Sequence, residues 1–241
     1  MKKNGKGNKM KANKAARCRR TCLRKRHTAS DNAVHIPRGA LRRNQRHFWS
    51  LLVSKVTGNA FDALDEIGLY VTDYVDNITP MPLQISGYRA NNLTVTFDGA
   101  SWTPEKTIYW GAGKSDVYAY YPYIGQMQDV EFQYFEVAAD QTGEGYEASD
   151  FLWAKAEGVA QSGGPVLLPM RHLMSKLTVK LVAGEDYIGS LPEDATIHLN
   201  STVSNARIDL EKGSVGKDPY SGAKSIKMRN LGIRTYDDVK A

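Results

Sequence analysis

The sequence predicts an all-β protein: a β-sandwich preceded by an unrelated basic segment. Three observations lead there. Short runs of alternating apolar and polar residues recur, with turn signals about every 8–15 residues, as in sandwich folds. No amphipathic stretch is long enough for a helix of more than two turns. The basic residues are also unevenly spread, so the +6 formal charge averages two unlike parts.

Residues 1–47 hold 16 of the 32 Lys and Arg against one acid, Asp31, a local net of +15. The remaining 194 residues hold 16 bases and 25 acids, a net of −9. The segment 1–47 has few apolar residues and no periodicity, so it cannot bury enough surface to offset the entropy of ordering. It is expected to be a disordered basic tail. A basic run can neutralise phosphates, so a nucleic-acid-binding protein using the tail stands as a third reading, but no nucleic-acid partner is expected. Cys18, Cys22 and His27 have C-x3-C-x4-H spacing, which lacks a fourth ligand and matches no common zinc finger. No apolar run in the tail has the length of a signal-peptide core, and no stretch reads as a membrane span.

The body is expected over residues 48–220. "FWSLLVSKV", Phe48 to Val56, opens it with an apolar run, and "IGLYVTDYV" follows as a strand burying at least one face. In "NLTVTFDG", Leu93, Val95 and Phe97 alternate with polar residues, and Asp98-Gly99 marks a hairpin turn. "KTIYW" is expected as the returning strand, followed by the loop "GAGKS". That loop lacks the first glycine of a phosphate-binding loop and joins two strands, so it predicts a hairpin rather than a nucleotide site.

"DVYAYYPY" places Val117, Ala119 and Tyr121 on one face and Tyr118 and Tyr120 on the other, and Pro122 ends the strand. "VAADQTGEGYEASD" reads as a surface loop, and "DFLWAKA" as a strand. "PVLLPMRHLMSKLTVKLVAG" contains a strong strand at Lys176–Val182, and "ATIHLNSTVSNARIDLEKGSV" supplies two more short strands. The expected core includes Ile67, Leu69, Val95, Phe97, Trp110, Val117, Tyr121, Leu152, Leu177, Val179 and Leu181, with Tyr109 and Tyr118 also inside. Trp102 and Trp153 fit the same core. Tyr120 and Tyr123 are the candidate exposed adhesive rings.

No Ser or Cys lies in a nucleophile motif, and His172 reads as structural while His198 faces solvent. Asp73, Asp76, Glu144 and Glu147 fall in loops without apolar surroundings to raise a pKa. A non-enzyme is expected, with no cofactor and no metal.

The succession "GNAFDALDEIGLYVT", "WTPEKTIYW", "DVYAYYPY", "DFLWAKA" and "RHLMSKLTVKL" resembles the fimbrillin family, the fimbrial subunits and fimbrillin-like lipoproteins of Bacteroides-type Gram-negative bacteria. The resemblance implies a transthyretin-like β-sandwich, a place on the cell surface in outer-membrane fimbriae, and a structural and adhesive role. It also implies assembly with other fimbrial subunits by β-strand exchange, and contact with host proteins or glycans. The alternative is a secreted carbohydrate- or protein-binding sandwich module. For strand exchange the removable strand would lie near Phe48–Val56, with Arg46 and Lys55 as candidate proteolytic processing points. Two departures go with the resemblance. The basic tail stands where members carry a lipoprotein signal, and residues 221–241 read as the stub of a missing second domain. The chain is therefore expected to accept a strand but not donate one, and to form no regular fibres.

Overall fold

The computed structural model describes residues 51–55, 60–161 and 164–232, so the basic tail and Arg46 lie outside the described residues. In chain order the elements are β1 (Leu51–Lys55), β2 (Glu66–Val75), β3 (Thr79–Pro80), β4 (Ala90–Phe97), β5 (Trp102–Pro104), β6 (Ser115–Tyr121) and β7 (Gln133–Glu136). They continue with α1 (Gly145–Ala148), β8 (Leu152–Val159), β9 (Val166–His172), β10 (His198–Thr202), β11 (Asn205–Asp209), β12 (Ser214–Lys217) and β13 (Lys224–Lys227). The protein is all-β apart from the single turn of α1 among the described residues.

Seven strands form the main sheet in the order β1-β9-β8-β6-β2-β4-β5, with β3 paired to β2 beside this path. All pairings are antiparallel except β1 with β9, which is parallel. The sheet curls until its end strands, β1 and β5, approach one another. A three-stranded sheet, β12-β11-β7, and a β10–β13 pair complete the architecture.

The two faces of the main sheet carry two cores. Inside the curl lie Ile67, Leu69, Val71, Val95, Val117, Ala119, Leu152, Leu168 and Met170, with Phe97, Trp110 and Tyr121 packed at the margin. On the other face Tyr70, Tyr118, Tyr120 and Phe151 meet Phe135, Ile208 and Leu210 of the second sheet region. Each fully buried Leu, Ile or Val contributes about 1.5–3 kcal/mol relative to exposure. The alternation in β6 is as expected, but both of its faces are buried.

Three sequence expectations are corrected. The strand returning from the Asp98-Gly99 turn is Trp102–Pro104, not "KTIYW", because Phe97 pairs with Trp102 directly across the turn. Asp98 accepts from the Ala100 and Ser101 amides, closing the turn so soon that the chain has left the ladder by Lys106. Tyr109 accordingly lies at the surface, 43% exposed, instead of in the core. Lys176–Val182 forms no strand, and Leu177 and Val179 stay 54% and 42% exposed, with Leu181 half-buried. After β9 the chain leaves the sheet, so these side chains have no facing layer to enter.

Candidate functional site

Among the described residues the main sheet ends at β1, which with β9 forms its one parallel pairing. Five residues, Leu51↔Val166 through Lys55↔Met170, are in register with β9. Val53 is 7% exposed and joins the inner core, and Leu51 packs against its edge. Among the described residues no strand other than β9 pairs with β1. Short parallel pairs without a crossover helix are the weaker kind of ladder. Removing β1 would therefore leave β9 with one unpaired edge above Val166, Leu168 and Met170, an apolar slot lined with free backbone donors and acceptors. Lys55 is the last residue of β1, so a cut after it would separate β1 from the body. A cut after Arg46 would leave β1 attached, since Arg46 precedes it in sequence.

The candidate adhesive rings fare differently from one another. Tyr120 is 1% exposed, which removes it as a surface contact. Its ring lies over Gly68, its register partner, where an added Cβ would stand 2.1 Å from the ring; only glycine leaves that space. The ring stacks on Phe151 at 5.9 Å with planes 7° apart. Its hydroxyl donates to Asn92 Oδ1 at 2.5 Å and accepts from the Ile124 amide at 3.2 Å. Asn92 is presented by an irregularity in β4, where its φ is +48°. Burial drives the Tyr120 hydroxyl pKa far above the ordinary phenolic range, the Ile124 and Asn92 hydrogen bonds opposing it only in part. Tyr123 is half-buried, its amide donating to the Glu66 carbonyl at 3.1 Å.

The reason for Tyr120's burial was readable in part. Val117 to Tyr121 is a continuous apolar run, the signature of a strand covered on both sides. The covering layer comes from β7 and β11, about 15 and 90 residues away in sequence, which no local pattern connects to β6. Trp153 and Arg171 fasten that layer at the β11–β12 turn. Trp153 donates Nε1–H to the Leu210 carbonyl at 2.7 Å, and Arg171 donates to the Gly213 carbonyl at 2.7 Å while its guanidinium sits 4.9 Å above the Trp153 ring. Gly213, at φ +62°, allows the indole to lie on its backbone, since an added Cβ would come within 2.4 Å of it.

Titratable groups are paired structurally. Asp116 is 1% exposed, accepts from the Tyr74 hydroxyl and the Gly158 amide, both at 2.8 Å, and faces Lys155 Nζ at 3.4 Å. Burial works against the Lys155 charge, but Glu157, Tyr118 and Asp116 outweigh it and raise the lysine pKa. A cleft of about 1210 Å³ borders β9, β11 and α1, with Asp62, Asp65, Tyr121, Asp150 and His172 along it. There His172 Nδ1 meets Asp150 at 2.7 Å, and burial with Asp65 pushes the Tyr121 hydroxyl up to about 12. His198 is exposed on β10. Among the described residues no group of three or more His, Cys, Asp or Glu is placed to hold a metal, and no helix is long and apolar enough to cross a membrane.

Comparison with known proteins agrees with this architecture. Two solved structures described provisionally as cell adhesion proteins share the fold. For the one from Bacteroides uniformis the TM-score is 0.59 at 21% identity, over 79% of this chain and 73% of that one. For the one from Bacteroides ovatus the TM-score is 0.53 at 18% identity, over 78% and 73%. No curated protein sequence matches. The model of the fimbrillin-like family matches residues 54–236, from the end of β1 past β13. Together with the all-β architecture just described, that match shows that this chain belongs to the fimbrillin-like family.

Proposed function

We propose that this chain is a non-catalytic structural and adhesive subunit of cell-surface fimbriae, joined to other subunits by β-strand exchange at the β1 slot. The observation that carries the reading is the pairing of β1. It is a five-residue edge strand, parallel to β9, with Val53 seated in the inner core and Lys55 at the point where cutting would free it. Once β1 leaves, a neighbour's extended segment can pair with β9. Main-chain hydrogen bonds would provide affinity, and alternate side chains would enter the position vacated by Val53. Family membership supports a fimbrial, surface-located role, and the structural pairing of the buried charges among the described residues, Asp116 with Lys155 and Asp218 with Arg207, supports a non-catalytic one. Adhesive contact with host proteins or glycans then falls to rings at the surface, with the half-buried Tyr123 retained and the buried Tyr120 withdrawn.

The test inserts a specific protease site immediately after Lys55 and cleaves the folded protein. A fluorescent peptide with the sequence Phe48–Val56 is then added in excess. Exchange predicts that labelled peptide elutes with the body on size exclusion and that unlabelled excess competes it off. A body that never releases its own β1, or that takes up no label after releasing it, overturns the reading. Loss of glycan-array binding in Tyr123→Ala would support the adhesive assignment, and unchanged binding would remove Tyr123 from it.

A further inference from the structure

The three-stranded sheet β12-β11-β7 buries one face against the main sheet through Phe135 and Ile208. Alternation sets the intervening residues on its outer face. There Tyr134, Arg207 and Gly216 form one row across the three strands, since Tyr134 and Gly216 are both register partners of Arg207. Phe132, two residues before Tyr134, is exposed as Tyr134 is. Arg207 lies between the two rings: its guanidinium is 5.7 Å from the Tyr134 ring centroid and donates to the Phe132 carbonyl at 3.3 Å. Gly216 completes the row, and its own surroundings give no reason for a glycine. Its φ is outside the left-handed region, and beyond its chain neighbours an added Cβ would meet no atom within 4 Å. Glycine weakens a strand interior and marks places where a ligand or another backbone approaches closely.

We infer that this face is a binding platform for a short, uncharged glycan, which stacks on Tyr134 and Phe132 and crosses Arg207 over the open backbone of Gly216. The inference rests on the adhesive role proposed above, to which it gives a contact surface, and not on strand exchange. Charge and size select the ligand. Arg207 pairs with Asp218, Lys224 with Glu136 and Lys212 with Asp209, at 3.3, 2.6 and 2.6 Å. With these charges cancelled in pairs, the face has no net charge to draw in an ionic partner. It spans about 10 Å across three strands and about 10 Å along four residues. That is far below the roughly 800 Å² per partner of a stable protein interface. A sugar matches what the face offers. The electron-rich face of an aromatic ring attracts the weakly positive C–H groups of a pyranose. Its hydroxyls accept from a guanidinium and donate to carboxylates. Among the described residues the Asp218 and Phe132 contacts occupy two of the five N–H donors of Arg207.

Three substitutions separate recognition from folding. Gly216→Val supplies a β-branched residue that strands prefer, so it should hold or raise the melting temperature while obstructing the platform. Tyr134→Ala removes the stacking ring from an exposed position. Tyr134→Phe keeps the ring and loses only a hydroxyl already engaged with Glu136 at 3.3 Å.

The test probes an array of uncharged and sialylated glycans with the full chain, then titrates the best-bound glycan by calorimetry. The parent should bind uncharged glycans, and Tyr134→Phe should bind as the parent does. Tyr134→Ala and Gly216→Val should each lose affinity by about tenfold or more, with Gly216→Val melting no lower than the parent. If those two variants bind like the parent, this inference alone is overturned. A parent that captures only sialylated glycans overturns it on the charge argument. A parent that captures no glycan overturns it together with glycan adhesion. Loss in Tyr123→Ala with Tyr134→Ala still binding assigns the contact to Tyr123 and overturns it as well. Peptide uptake at β9 should be the same in every variant, and its loss in Tyr134→Ala and Gly216→Val would overturn the inference by showing that they act through the fold.

Discussion

Two short segments of this protein have nearly the same chemistry and opposite fates. "LLVSK" in β1 and "KLTVK" at 176–180 are each built of Leu, Val, Lys and a small hydroxyl residue. The first is hydrogen-bonded to β9 and sinks Val53 into the inner core, while the second leaves Val179 in solvent. Composition and local propensity do not separate them. What differs is whether an open sheet edge lies within reach, because β-propensity measures fit to a neighbouring strand more than any preference of the backbone itself.

The largest contrast should appear at leucine positions on either side of the point where the chain leaves the sheet. Leu168 on β9 is fully buried, so Leu168→Ala should cost about 3–5 kcal/mol by chemical denaturation, the range for large core truncations. Leu177→Ala, nine residues later, should change stability by about 0.5 kcal/mol or less, as surface substitutions do. Equal losses would mean that the 176–182 segment is packed after all.

The valines make the same comparison at smaller scale. Val53→Ala should destabilise by about 1–3 kcal/mol, losing two buried methyl groups plus a cavity, and should speed hydrogen exchange along β9. Val179→Ala, at an exposed position, should be close to neutral. If Val53→Ala proved equally silent, β1 would be only loosely docked and its release would need no cleavage.

Acid should distinguish the regions more gently. The β13 strand is joined to the body by Lys227–Asp140 and Lys224–Glu136 ion pairs, at 3.3 and 2.6 Å. Hydrogen bonds from the Thr142 hydroxyl and amide, helped by Lys227, hold Asp140 down to about 2, and Lys224 lowers Glu136. A carboxylate whose folded pKa is depressed adds stability above its unfolded pKa and loses it as pH falls through the folded value. Exchange protection in β10–β13 should therefore decline between about pH 4 and pH 2. The described β1–β9 pairing contains no ion pair, and its protection should hold over the same interval. Simultaneous loss in both would show one cooperative unit.

The smallest effect is expected at Tyr70, whose buried hydroxyl has no hydrogen-bond partner among the described residues. An unsatisfied buried hydroxyl costs free energy, so Tyr70→Phe should leave the melting temperature unchanged or raise it slightly. A clear drop would reveal a partner for that oxygen.

Sequence by itself determined the class of fold and most of the strands. Alternation and turn chemistry located β2, β4, β6 and β8, and Ile67, Leu69, Val95, Val117 and Leu152 are buried as their period-two spacing requires. Those signals are local, since each depends only on residues within a few positions of one another. Tertiary structure decided what covers each face and each edge. It placed Tyr120 inside because β7 and β11 lie over the outer face of β6, and left Leu177 and Val179 outside because no strand lies over them. It also chose β9 as the partner of β1, across more than a hundred residues of intervening chain. A strand's own residues specify that it can pair and which side chains share a face; the partner is chosen by the global closure of the sheet, which no local window contains.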